Sequence, residues 1–371
     1  MAWPRRMMAV AVKGLVVKPM PSPPLLSAAF DDINDDKPRR RWYHNLPLYG
    51  VILLLLAPQP SILLILVHQY LLVLNSPARF AFHLLAIYSI TFVTFSSLIV
   101  LVIRDPGPVS LEDPQTSDPN DEQVGLTEAL MSSDDFSAPG KWCRICWAPK
   151  PDRTHHCSFC GRCVLKMDHH CPWLGNRCIG HRTYSAFLHF LLGIVLLASY
   201  VAILCAHALY YAFNNPYSVD DTAPVHEILL TFAGMAFTLV IGSFFSYHLY
   251  LVSTNQTTLE NITPFLLLRY LPTLPHTGSN SGPSDPPMEH ELSFKQRRLV
   301  KDAHSHIRIF DVGFKKNWSQ VFGWKRPSGL LYRALCGGGG MGDGKSFPRN
   351  LNADQLLARL ARELVAEGKN T

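Results

Sequence analysis

The chain has 371 residues and a formal net charge of +6, and 48% of its residues are hydrophobic whereas 17% are charged. Typical soluble domains carry about 25% charged residues, so this composition argues against a soluble fold. The apolar residues form long runs with basic residues at their flanks, which is typical of a multi-pass membrane protein and not of a nucleic-acid-binding domain.

Residues 1–41 are predicted to form a cytosolic N-terminal tail. Their first apolar stretch is short, it is interrupted by Lys13 and Gly14, and prolines follow it. A cleaved signal peptide would have an uninterrupted apolar core. We therefore interpret this segment as a tail that is retained.

Four apolar runs follow, at 46–74, 79–103, 184–213 and 226–252. They predict transmembrane helices 1 and 2 within residues 46–103 and helices 3 and 4 within residues 184–252. Pro58 and Pro60 interrupt the first run, but neither half reaches the roughly 20 residues that a spanning helix needs. The first run is therefore predicted to be one kinked span, since membrane helices tolerate proline where neighbours satisfy the freed carbonyl.

The basic residues indicate the orientation of these spans. The loops 75–78 and 214–225 contain no Lys or Arg, whereas the other aqueous segments contain nearly all of them. By the positive-inside rule, both termini and the loop between helices 2 and 3 are predicted to be cytosolic.

The aqueous segments divide by composition. Residues 104–140 are acidic and rich in Pro and Ser, which predicts a disordered linker, and residues 141–183 hold most of the cysteines. Residues 253–371 form the cytosolic C-terminal region. Within it, residues 351–366 have apolar positions near helical spacing and predict an amphipathic helix that lies on the membrane, on a partner or simply at the surface. The positions assigned to its apolar face are Leu351, Gln355, Leu356, Leu360, Leu364 and Val365.

Seven of the nine cysteines lie in one short stretch, in C-x-x-C pairs with histidines between them. This pattern predicts zinc and not disulfides. The stretch is too short and polar to fold on an apolar core, so metal would supply the folding free energy. Two Cys3His sites would leave one cysteine over. Spacing leaves two interpretations open: the spare thiol is a nucleophile with an unused histidine as its base, or it is idle beside purely structural zinc.

The residues around Cys171 favour it as the nucleophile. It follows Asp168, His169 and His170 directly. A carboxylate that binds one imidazole nitrogen orients the ring and leaves the other nitrogen to accept a thiol proton. A neighbouring imidazolium lowers a thiol pKa from its usual value of about 8.5.

The sequence Asp-His-His-Cys-Pro-Trp at 168–173, inside its cysteine framework, resembles the DHHC protein S-acyltransferase (palmitoyltransferase) family. Three further motifs of that family have counterparts, and the likeness covers residues 42–325. One departure is Arg177, which places the last cysteine seven residues beyond Cys171 where the family has six. We expect the extra residue to bulge out while Cys178 still reaches the metal. The counterparts of the three further family motifs are Asp105, Pro106 and Gly107; Thr257, Thr258 and Glu260; and Asn317.

The resemblance implies an all-α polytopic membrane protein with four transmembrane helices and a small two-zinc cytosolic domain between helices 2 and 3. It implies Asp168, His169 and Cys171 as catalytic residues. The two structural Zn²⁺ ions would be held by two sets of ligands: Cys143, Cys146, His156 and Cys163; and Cys157, Cys160, His170 and Cys178.

The implied reaction is ping-pong transfer of a palmitoyl group from palmitoyl-CoA, through acyl-Cys171, to cysteines of target proteins. The expected partners are membrane-associated proteins with cytosolic cysteines, acyl-CoA and the lipid bilayer, with no nucleic acid. An endomembrane such as the Golgi, ER or vacuole is the expected location. Two alternatives are a non-catalytic zinc-dependent membrane scaffold and a metal transporter. The transporter is disfavoured on the expectation that the spans contain no carboxylate.

Overall fold

The computed structural model describes residues 42–109, 142–216, 223–272, 287–323, 333–335 and 337–368. The predicted N-terminal tail and most of the predicted acidic linker lie outside these ranges. Within them, four helices are long and apolar enough to cross a membrane. This confirms the predicted class: a mostly helical membrane protein with the cysteine-rich segment, here residues 142–183, between the second and third spans.

The first span, Trp42–Val73, is continuous but irregular. After a 3₁₀ turn at Trp42–Asn45, helix α1 (Leu46–Leu56) ends just before Pro58, and helix α2 (Gln59–Leu66) begins directly after it. The interruption thus lies where the prolines predicted it. The last part, Val67–Val73, is π-helical, which the sequence did not indicate.

The other three spans are regular helices: α3 (Pro77–Ile103), α4 (Tyr184–Asn214) and α5 (Ala223–Ser253). Helix α4 is the central one, because it packs against both α3 and α5. Small residues permit this close packing: Gly193 lies against Thr94 of α3, and Gly234 of α5 lies against Ala198 and Ala202. A side chain at either glycine would collide with the neighbouring helix, as expected for helix pairs in a bilayer.

The expectation that the spans contain no carboxylate was wrong. Glu227 lies in the first two turns of α5, and only 1% of its surface is exposed. Glu227 is the second residue of the long apolar run at 226–252, and the high average hydropathy of that run outweighs one acidic residue. The argument against a metal transporter relied on the absence of carboxylates from the spans, and it therefore no longer holds.

The cysteine-rich segment contains three two-stranded antiparallel ladders that the sequence did not predict. The first pairs β1 (Trp142–Cys143) with β2 (Ala148–Pro149). The second pairs β3 (His155–Cys157) with β4 (Arg162–Val164), and the third pairs β5 (His169–Cys171) with β6 (Arg177–Ile179). Strands of two or three residues are marginal by themselves, so additional bonds must hold this segment together.

The C-terminal region follows α5 with a short helix α6 (Thr258–Ile262), a 3₁₀ helix at Pro264–Tyr270 and another at Glu289–Glu291. Helices α7 (Phe294–His306), α8 (Phe314–Phe322) and α9 (Leu351–Gly368) complete it.

The predicted amphipathic helix is α9, and it packs on α7 within the same chain. Leu357, Leu360 and Leu364 are buried in an apolar cluster that the two helices share. Leu351 and Leu356, which were assigned to the apolar face, are exposed. The buried face is therefore rotated relative to the prediction, and the fold itself covers it.

Candidate active site

The eight predicted zinc ligands lie in two groups of four. In the first group, the Sγ atoms of Cys143, Cys146 and Cys163 lie 3.6, 3.1 and 3.9 Å from His156 Nδ1. The β3–β4 ladder produces part of this group, because it places His156 directly opposite Cys163.

The second group forms in the same way around His170. The Sγ atoms of Cys157, Cys160 and Cys178 lie 3.6, 3.4 and 3.7 Å from His170 Nδ1. The β5–β6 ladder sets His170 opposite Cys178. The Nε2 atom of His170 bonds to the Asn176 side-chain oxygen at 2.8 Å, which leaves Nδ1 for a metal.

Both groups fit zinc. Each has three sulfur atoms and one imidazole nitrogen, and the four ligand atoms lie within 4.8 Å of one another. With Zn–S near 2.3 Å and Zn–N near 2.0 Å, a tetrahedral ion places its nitrogen and sulfur ligands about 3.5 Å apart. The observed separations scatter around that value. His156 and Cys157 are adjacent in β3, but they belong to different ligand groups. Two ions would therefore cross-link the segment into one unit.

Arg177 does not bulge out of its strand. It belongs to β6 and lies opposite Cys171 in the ladder. The turn at 172–176 contains the additional length: a 3₁₀ turn at Pro172–Leu174 precedes Gly175 and Asn176, which both have positive φ. Cys178 remains within the second ligand group. The expected location of the bulge was thus wrong, although the expected reach of Cys178 agrees with the structure.

Asp168, His169 and Cys171 lie together where the cysteine-rich segment meets the helix bundle. His169 Nδ1 lies 2.7 Å from Asp168 Oδ2. Burial opposes protonation of His169, but hydrogen bonds to Asp168 and Cys171 outweigh it and raise the pKa of His169 to about 9. At neutral pH the imidazole is therefore protonated, and it lies within hydrogen-bonding reach of the Cys171 sulfur. Cys171 is 8% exposed and packs within the main apolar cluster of the bundle.

Asp168 is buried and accepts three hydrogen bonds. Besides His169, it accepts bonds from the Thr258 backbone N–H at 2.9 Å and the Thr258 hydroxyl at 2.8 Å. Burial alone would raise the pKa of Asp168, but the bonds from His169 and Thr258 hold that pKa below its usual range. The start of helix α6 therefore keeps Asp168 ionised and fixes its direction.

Glu260 connects α6 to the cysteine-rich segment through Arg153. The guanidinium of Arg153 donates to both Glu260 oxygens at 2.8 Å, and it also donates to the side chain and backbone oxygens of Asn255. Arg153 is fully buried. Glu260 and Thr257 form a reciprocal capping box that starts α6. Thr257, Thr258 and Glu260 thus have distinct contacts within one turn of helix.

Asp105, Pro106 and Gly107 connect the end of α3 to the same segment. Asp105 accepts bonds from the Gly107 N–H at 2.9 Å and from the Arg162 guanidinium at 2.7 Å. Gly107 has φ of 122°, and a Cβ there would approach Leu165 to 3.2 Å. This turn therefore requires glycine, and it anchors the β3–β4 ladder to the membrane helix.

Asn317 lies in α8, is fully buried and caps the end of α5. Its side-chain N–H groups donate to the Ser253 carbonyl at 2.7 Å and to Asp311 at 2.8 Å, and its oxygen accepts from the Val312 N–H. The last carbonyls of a helix lack partners within the helix. Asn317 supplies one and thereby fixes the C-terminal region beneath α5.

Three residues near the site received no functional role from the sequence. Arg153 looked like one of many basic residues in a cytosolic loop, and Tyr184 looked like the first residue of a span. His248 looked like an ordinary polar residue in a membrane helix. Their partners are far away along the chain, so spacing carried no signal for them.

The fold and the site together define a class: a multi-pass membrane protein with a metal-binding segment that presents a Cys–His–Asp group at the end of a helix bundle. Residues 137–264 match the family model described as DHHC palmitoyltransferase. These residues are therefore similar to that family, in agreement with the resemblance of the motifs.

Relatives extend this likeness beyond the domain. The chain is 34% identical over 233 residues to human palmitoyltransferase ZDHHC2. This match covers 62% of the present chain and 52% of ZDHHC2. It is 37% identical over 224 residues to human palmitoyltransferase ZDHHC15, with coverage of 59% and 54%. It is 37% identical over 177 residues to palmitoyltransferase pfa3 of Emericella nidulans, with coverage of 44% and 32%. The matches span about half the length of the two human relatives.

Proposed function

We propose that the protein is a protein S-acyltransferase that moves a long-chain acyl group, palmitoyl in the simplest case, from acyl-CoA to cysteines of membrane-associated proteins. The observation that carries this proposal is the Cys171–His169–Asp168 group, in which Cys171 belongs to the apolar cluster of the helix bundle. An acyl thioester has an apolar tail and a polar reacting carbonyl, so its reaction suits a thiol at that boundary.

The first half of the reaction acylates the enzyme. His169, oriented by Asp168, holds the proton taken from Cys171. The Cys171 thiolate attacks the thioester carbonyl carbon, and the C–S bond to CoA breaks. The departing CoA thiolate takes the proton from His169. The enzyme is left with an acyl-Cys171 thioester and a neutral imidazole.

The second half transfers the acyl group. The neutral His169 removes the proton from a substrate cysteine, whose thiolate attacks the acyl-Cys171 carbonyl. Cys171 leaves as a thiolate beside the imidazolium, which restores the starting state. One thioester is exchanged for another, so no further energy source is needed.

Two zinc ions would hold the site in place without taking part in these steps. The ligands Cys157, Cys160, His170 and Cys178 include the residue between His169 and Cys171. A zinc ion there would therefore fix the strand that carries both catalytic groups. The positive-inside rule predicts that this segment is cytosolic, which would give it access to acyl-CoA and to cytosolic cysteines.

The test is acyl loading of the purified, detergent-solubilised protein. Wild type and Cys171→Ser would be incubated with an alkyne-tagged long-chain acyl-CoA, and the label would then be treated with neutral hydroxylamine. We expect hydroxylamine-sensitive label on wild type and none on Cys171→Ser, with two zinc ions per chain in both. A zinc-loaded, monodisperse wild type that takes up no label would support the scaffold and refute the transferase.

A further inference from the structure

Tyr184 and His248 form a buried polar pair at the end of the bundle next to the proposed catalytic group. Tyr184 begins α4, and His248 lies near the end of α5. The Tyr184 hydroxyl lies 3.1 Å from His248 Nδ1. His248 is fully buried, and its Nε2 has no hydrogen-bond partner among the residues that the structure describes.

The partner of Nδ1 determines which nitrogen of a neutral His248 carries the proton. A phenol is both donor and acceptor, and its O–H is a good donor to an imidazole nitrogen. When Tyr184 donates to Nδ1, the hydrogen of the neutral ring lies on Nε2. The pair therefore presents a buried N–H donor that the described fold leaves without an acceptor. A buried donor without an acceptor destabilises the fold, so a bound molecule that accepts from it would regain that free energy.

His248 lies beside the reacting groups. Its ring centroid is 6.1 Å from that of His169, and both rings pack against Phe187, at 5.1 and 5.2 Å. Phe244 packs edge-on against His248 at 4.6 Å, so the ring has little freedom to turn. An acyl carbonyl that reacts at Cys171 must lie close to His169, since His169 exchanges the proton.

We propose that His248 Nε2–H donates a hydrogen bond to the acyl carbonyl oxygen as it becomes an oxyanion at Cys171. This inference rests on the proposed transferase function. When the thiolate attacks, a C–S bond forms and the carbonyl π electrons move to oxygen, where the N–H stabilises the negative charge. When CoA leaves, the double bond returns. His248 keeps its proton throughout, and Tyr184 is a positioning residue that sets the tautomer.

The experiment compares acyl-loading kinetics of wild type with three variants. His248→Phe keeps an aromatic ring and removes the donor, His248→Gln keeps a donor, and Tyr184→Phe removes the hydroxyl that fixes the tautomer. His83→Phe is the matched control, because His83 Nδ1 also bonds to a tyrosine hydroxyl, that of Tyr200, at 2.8 Å. His83 lies 20 residues before the end of α3, about 30 Å along the helix from the site.

Loss of one oxyanion donor lowers kcat by about 10²-fold or more. We expect that loss in His248→Phe with an unchanged KM for acyl-CoA, partial recovery in His248→Gln and a smaller loss in Tyr184→Phe. His83→Phe should load at the wild-type rate. Loading of His248→Phe within twofold of wild type would overturn the inference, as would equal losses in His248→Phe and the control. A wild type that does not load at all would instead refute the transferase.

Discussion

Replacement of Arg153 by Met tests whether the buried ion pair with Glu260 holds the proposed catalytic group in place. The variant keeps an apolar stem and removes both 2.8 Å bonds to Glu260 and both bonds to Asn255. Arg153 is fully buried, and the Glu260 side chain is only 14% exposed. Removing one partner of a buried pair costs about 3–5 kcal/mol, because the other charge stays buried.

That loss should be visible in thermal unfolding of the solubilised protein, measured by size exclusion after heating. For a chain of 371 residues, 1 kcal/mol shifts the midpoint by roughly 1.3 °C, so Arg153→Met should lower it by roughly 4–6 °C. Acyl loading should also fall, because Glu260 starts the helix whose first residue, Thr258, holds Asp168.

The surface pair Arg359–Glu363 provides a matched control. Its atoms are also 2.8 Å apart, but the side chains are 71% and 42% exposed. Exposed helical pairs contribute about 0.3–0.5 kcal/mol, so Arg359→Met should shift the midpoint by less than about 1 °C on the same scaling.

The double variant Arg153→Met with Glu260→Gln separates the stranded charge from the lost packing. Gln at that position still supports a capping box, so the double variant should unfold at a higher temperature than Arg153→Met alone. The reasoning would be refuted if Arg153→Met shifted the midpoint no more than Arg359→Met did.

Two further changes test neighbouring contacts. Thr258→Val removes the 2.8 Å hydroxyl bond to Asp168 but not the backbone bond; since a bond to a charged group contributes about 1.5–3 kcal/mol, acyl loading should slow roughly tenfold or more. Thr258→Ser should load near the wild-type rate, and equal rates for the two variants would contradict this assignment. Burial beside Arg153 lowers the pKa of Lys166 from 10.5 to about 7. Below pH 7, Lys166 is therefore protonated in both the folded and the unfolded chain. The folded state then bears the full free-energy cost of a buried charge. That cost declines as pH rises toward 10.5, where the unfolded chain also loses the proton. The unfolding midpoint of Lys166→Met should therefore exceed that of wild type at pH 7 by more than it does at pH 9.5, and a pH-independent difference would contradict the shift.

The sequence determined the spans because a bilayer imposes a length and a polarity on every segment that crosses it. Four apolar runs predicted four helices, and Pro58 located the break in the first. Spacing also indicated metal binding in the cysteine-rich segment, whereas the eight ligands were implied by the resemblance to a known family, and the structure groups those same residues. Glu227 was overlooked because the high average hydropathy of a long apolar run conceals one charge.

Tertiary structure decided everything that depends on distant partners. Arg153 is 107 residues from Glu260 along the chain and 102 residues from Asn255. No period or motif links such residues; they meet because ladders, caps and helix packing fix the cysteine-rich segment against the bundle. The same holds for Tyr184 and His248, which lie at the beginning and near the end of different spans.

The apolar face of helix α9 is another feature that the sequence alone did not determine. Helical spacing predicted the helix, but the side that it buries depends on where α7 lies, and that was decided by packing. Local chemistry thus specified which residues could span, ligate or react. Which of them act together was specified only when the folded chain brought distant side chains within hydrogen-bond distance.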